Sequence, residues 1–149
     1  MSTQAAYSEK DLTSVSEKEA KEGLLSSNFK QYDGQRIKSS TSPVIYLVIN
    51  GVRQAIPDSF TYDNLFISWS GVKQSDYLVE QIPAGVPLTN EAGLFQGTSQ
   101  SSPVWLVTNG VKRLIPDGAT FDNFYFNRKA VVSVDHRILD LITQGENIG

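Results

Sequence analysis

One stretch of this sequence is written twice. SPVIYLVINGVRQAIPDSFTYDNL starts at Ser42 and SPVWLVTNGVKRLIPDGATFDNF at Ser102; with one gap at Ile45, 14 of 23 aligned positions are identical. The shared asparagines, Asn50 and Asn109, lie 59 residues apart. The replacements keep character: Tyr46 for Trp105, Arg53 for Lys112, Tyr62 for Phe121. Weaker likeness extends both ways. DGQRIKSSTSPV from Asp33 matches AGLFQGTSQSSPV from Ala92, and VKQSDYLVEQIPAG from Val72 matches VVSVDHRILDLITQG from Val131. A repeat of this length is one supersecondary unit built twice, each too small to bury its apolar face alone. The repeat places units at 33–89 and 90–149, with 1–32 as a separate N-terminal segment.

Each unit contains a hairpin signal. Val44–Ile49 and Val52–Ile56 are apolar runs around Asn50-Gly51; Val104–Thr108 and Val111–Ile115 flank Asn109-Gly110. A two-residue type I′ turn needs φ > 0 at both central residues, which Asn and Gly accept at least cost. That loop length sets Ile49 opposite Val52 and Val48 opposite Arg53. Pro57 and Pro116 have no N–H to give a ladder, so the second strand of each hairpin stops there. Asp58 and Asp117 then stand where an N-cap would, and Ser75-Asp76 and Asp135 mark a second cap in each unit. Gly85 reads as a helix stop. The expected fold is α+β: two tandem units of hairpin plus short helices sharing a core, since a lone hairpin is marginal in water. In the N-terminal segment, Ser16-Glu17-Lys18-Glu19 has capping-box form and predicts a helix to about Leu25.

Composition excludes several function classes. With 16 acidic and 13 basic residues the net charge is -3, and no basic stripe suggests nucleic acid or an anionic membrane surface. The absence of cysteine removes disulfides, thiolate catalysis and thiolate metal sites. No apolar run is long enough to span a bilayer. Met1–Tyr7 lacks the features of a secretion signal, and the compartment, extracellular or cytoplasmic, stays open.

The residues around the hairpins resemble a repeat of bacterial extracellular and envelope-associated accessory proteins. Those residues are Tyr46-Leu47-Val48, Asn50-Gly51-Val52-Arg53, Ile56-Pro57-Asp58, Tyr62, Trp69-Ser70-Gly71-Val72 and Ile82-Pro83-Ala84-Gly85. The second unit departs from the pattern, with Arg128 in place of Trp69 and Thr143 in place of Pro83. The resemblance implies a non-enzymatic accessory module and names no ligand.

Nothing in the chain assembles a catalytic set. His136 is the only histidine, and its counterpart is Tyr77. Phosphate loops, nucleophile elbows and histidine pairs are absent. The candidate ligand-binding residues are Tyr62, Asp63 and Asn64 with their copies Phe121, Asp122 and Asn123, and the paired aromatics Tyr46 and Trp105. Carboxylates, amides and aromatic rings are the groups that bind sugar hydroxyls and stack on sugar rings. The bland alternatives are helix capping, solvated surface and core packing. Arg53, Lys112 and Arg113 are expected in ion pairs or edge protection rather than at phosphate. The expected function is a non-catalytic binding module with two quasi-equivalent sites, for carbohydrate or a cell surface, with Tyr62–Asn64 and Phe121–Asn123 facing solvent in matching grooves. No cofactor or metal is expected; a glycan or another protein is the expected partner. The alternative is a structural protein that oligomerises through its hairpins.

Overall fold

The computed structural model describes residues 13–14, 29–99 and 101–149. The expected N-terminal helix from Ser16 to about Leu25 lies outside them. The fold mixes α and β, with two five-stranded sheets. Four α-helices occur among the described residues, and none is long and apolar enough to cross a membrane. The chain divides into two compact units: one holds residues 1–56 and 68–87, the other 57–67 and 88–149.

In the first unit β1 (Thr13–Ser14), β2 (Arg36–Lys38), β3 (Tyr46–Ile49), β4 (Val52–Ala55) and β5 (Lys73–Gln74) form a sheet in the order β1-β5-β2-β3-β4. The β3–β4 hairpin has the register the turn chemistry requires, Ile49 opposite Val52 and Val48 opposite Arg53. Asn50 and Gly51 carry φ of 52° and 81°. β5 runs parallel to β2. A helix, Asp76–Gln81, follows; Ser75 caps it by accepting from the Leu78 N–H at 3.1 Å. This unit buries both faces of its sheet. Tyr32, Ile37, Val48, Leu78 and Ile82 make one core, with Phe29, Tyr46, Tyr77 and Val79 packed on it. Leu47, Ile49, Arg36, Lys38 and Gln54 are buried on the other face.

The second unit begins with a helix from the middle of the first sequence repeat. This helix, α1 (Ser59–Leu65), is capped by Asp58, whose carboxylate accepts from the Thr61 N–H at 2.8 Å. With the Asp76–Gln81 helix as α2, the later elements are β6 (Gly93–Gly97), β7 (Val104–Thr108), β8 (Val111–Ile115), α3 (Gly118–Asn123), β9 (Val132–Val134), α4 (His136–Asp140) and β10 (Thr143–Gln144). The sheet order is β10-β8-β7-β6-β9. β9 is parallel to β6, as β5 is to β2, and β6–β7–β8 is antiparallel. Asp117 and Asp135 cap α3 and α4.

Helical spacing puts Thr61, Tyr62 and Leu65 on the buried side of α1 and Asp63 and Asn64 on the outer side. The Tyr62 ring lies 4.7 Å from Phe66, which stacks on Phe126 at 5.7 Å; Phe121 and Phe124 pack on Phe126 as well. Leu94 and Leu106 bury one face of the sheet.

Candidate functional site

Strand alternation decides which side chains line each face of the second sheet. On the face opposite Leu94 and Leu106, the register sets Val132, Phe95, Trp105 and Leu114 in one row across four strands. Phe95, Trp105 and Leu114 are half-buried and Val132 is 49 % exposed. In the corresponding row of the first unit Ile37, opposite Tyr46 as Phe95 is opposite Trp105, is 0 % exposed, while Tyr46 is half-buried as Trp105 is.

Two clefts adjoin the Phe95–Trp105 pair, one beside Gly93 and Phe95, the other beside Gly97 and Trp105. Alternation puts a glycine on either side of Phe95 on this face. The space over each glycine is already filled, at Gly93 by the Phe95 ring, 3.0 Å from where a Cβ would stand, and at Gly97 by Ser102 Oγ at 3.0 Å and His136 Cβ at 3.2 Å. The depression at Gly93 is a cleft of about 330 Å³ lined by Asp63, Asn64, Glu91, Phe95 and Val132 among others. The depression at Gly97, about 230 Å³, is lined by Ser99, Ser102, Trp105, Lys112, His136 and Asp140 among others.

The walls are held in place by hydrogen bonds. The Glu91 N–H donates to Thr61 Oγ1 at 2.9 Å, and Asn64 Nδ2 to the Ala92 carbonyl at 3.5 Å, which fixes α1 beside the start of β6. The Lys112 ammonium lies 4.6 Å from the Trp105 ring centre and donates to the Leu139 carbonyl at 2.8 Å, tying strand, indole and α4 together. In the first unit Arg53 does the same, 4.7 Å over Tyr46 and donating from Nε to the Ile82 carbonyl at 2.9 Å. These cations therefore serve helix-end carbonyls and aromatic faces, where the sequence suggested ion pairs. Arg113 does both: its Nε donates to the Glu146 carbonyl at 2.9 Å, and its Nη2 lies 3.6 Å from the Glu146 carboxylate.

The candidate residues separate accordingly. Asp63 and Asn64 are exposed and line the Gly93 cleft, and Trp105 lines the Gly97 cleft. Tyr62 and Phe121 do not face solvent: they are 1 % and 2 % exposed, because an aromatic ring on the inner side of a short helix contributes more as core. Asp122 and Asn123 are exposed, and Asp122 pairs with Arg128 at 3.1 Å; Arg128 and Phe121 line a further cleft of about 280 Å³ beside the start of α3. Tyr46 packs against the first core. Phe95, Glu91 and the two glycines were not singled out from the sequence, although Gly-x-Phe-x-Gly on an alternating strand was the available signal.

Among the described residues no group of three or more histidine, cysteine, aspartate or glutamate side chains could hold a metal ion. His136 is exposed, with Nδ1 3.7 Å from Asp135. The Asp135 carboxylate is pulled down to about 2 by its side-chain bonds with Arg137 and by the Arg137 N–H. Comparison with protein-family models, curated proteins and solved structures gives no match.

Proposed function

We propose that this protein is a non-catalytic carbohydrate-binding module made of two tandem units, with its ligand site on the open sheet face of the second. The observation that carries the reading is the half-open row of Phe95 and Trp105 between two clefts edged by Asp63, Asn64, Glu91, Ser99, Ser102, His136 and Asp140. Apolar rings with convergent carboxylate, amide and hydroxyl groups suit sugars, which present an apolar C–H face and a polar edge. The resemblance of the hairpin residues to accessory repeats of bacterial envelope proteins supports the same reading. The repeated hairpin, parallel strand and capped helix in both units support the tandem organisation.

Binding to a glycan array, with Trp105→Ala and Asp63→Ala variants beside the intact protein, tests it. A specific glycan signal lost in both variants, with unchanged circular dichroism, is expected. Silence on every glycan would sink the proposal. An assembly reading that uses α4 instead of the hairpins has support in Ile138 and Leu141, exposed on and just after that helix; light scattering that shows concentration-dependent oligomers would favour it.

A further inference from the structure

The shape of the open face says more about the ligand than its class. Gly93 lines one cleft and Gly97 the other; they lie on the same strand and the same face, four residues apart, roughly 13 Å at the rise of a strand. Phe95 lines the first cleft, its ring lying over Gly93, and Trp105, directly opposite on β7, lines the second. Cleft, aromatic pair and cleft thus follow one another along β6. Each hollow has its own hydrogen-bonding groups: Asp63, Asn64 and Glu91 at one end, Ser99, Ser102, His136 and Asp140 at the other. The charges are mostly negative. Asp63, Glu91 and Asp140 stand at the edges, while the Lys112 ammonium is buried and bonded to Leu139. A uronate, sulfate or phosphate group there would meet like charge, which costs binding rather than adding to it.

Resting on the carbohydrate reading above, we infer that the ligand is a linear, uncharged oligosaccharide lying along β6, with one sugar in each hollow and one across the Phe95–Trp105 pair. A single sugar fills one hollow only. A chain that reaches both gains the second set of contacts without a second loss of translational freedom, so affinity climbs steeply with length and then stops.

Titration calorimetry of the intact protein with neutral gluco-, xylo- and N-acetylglucosamine oligomers of increasing length tests this. The expected result, for at least one series, is a rise of about tenfold or more from one sugar to three or four, and no further rise for longer chains. Gly97→Val, which would push Ser102 and His136 out of their places in the second cleft, should abolish the rise. That substitution is tight against Ser102 and His136, so His136→Ala with Asp140→Ala, both exposed, is the companion variant. It should keep the single-sugar affinity and lose the length dependence. Equal affinity for one sugar and six would overturn the inference and leave the binding-module reading standing. Binding of anionic polysaccharides alone would overturn it too, whereas failure on every glycan removes the proposed function itself.

Discussion

Asp135 and Asp76 show how single residues make the fold sensitive to pH. Asp76 is held below the ordinary carboxylate value by the Ser40 N–H first and the Ser40 hydroxyl second, at 2.6 and 2.7 Å. Asp117 is lowered by its cap on Thr120, and Asp135 reaches about 2. In each case the folded value lies below the unfolded one, so the unfolded chain takes up the proton first as pH falls. The stability these groups contribute is present above the ordinary carboxylate value of 3.8 and is lost as pH drops through the folded values. Lys38 has the opposite sense. Burial lowers its pKa, against the pull of Asp76, so folding pays a penalty on its charge that lifts as pH rises from the folded value towards 10.5. Urea midpoints should therefore hold near neutrality and fall below about pH 4, and Asp76→Asn should flatten that acid decline. A midpoint that falls equally in the variant would show that Asp76 is not part of the effect.

Among the elements, the hairpins carry the clearest local instruction. Asn109 and Gly110 sit at φ of 55° and 76°, and nothing lies within 4 Å of where a Gly110 side chain would start. The glycine is therefore required by backbone conformation and not by space. Gly110→Ala should cost about 1–2 kcal/mol, the penalty of an L-residue in the left-handed region. Chemical denaturation measures it, and a neutral result would mean the turn changes type. Gly51 has the same need, with Phe29 and Lys30 atoms at ordinary contact distance of 3.6 Å. The turns and helix caps were legible because each is decided within four or five residues: Asn-Gly by its own φ, and Asp58, Ser75, Asp117 and Asp135 by the free N–H groups just after them. The two-residue strands β5 and β10 were not legible. Lys73-Gln74 and Thr143-Gln144 have no strand pattern, and they are strands because Ile37–Lys38 and Val111–Lys112 lie alongside them.

Across the whole molecule, chain order and unit membership part company at α1. Its residues follow β4 in sequence but belong to the second unit, where Leu65 is buried and its carbonyl accepts from the Asn127 N–H at 2.8 Å. Leu65→Ala should cost about 2–5 kcal/mol as a buried cavity. Hydrogen exchange should show the loss of protection in β6–β8 rather than in β2–β4. Loss confined to the first hairpin would contradict the unit boundaries.

The sequence by itself determined the local grammar of this protein: a unit written twice, its hairpin registers, its caps and its proline stops. These follow from backbone φ preferences and short-range hydrogen bonds, which neighbouring residues settle among themselves. It could also mark Asp63, Asn64 and Trp105 as unusual, but not their fate. Tyr62 and Phe121 carry the same local pattern as a binding aromatic, and only packing against Phe66 and Phe126 turned them inward. The open face was likewise a tertiary decision. Ile37 with Tyr46 and Phe95 with Trp105 read alike as strand pairs, and Tyr46 and Trp105 are both half-buried, yet Ile37 is fully covered in the core with Leu78 and Ile82 while Phe95 stays half-exposed. Burial is a property of what arrives from elsewhere in the chain, and no window of sequence around Phe95 contains it.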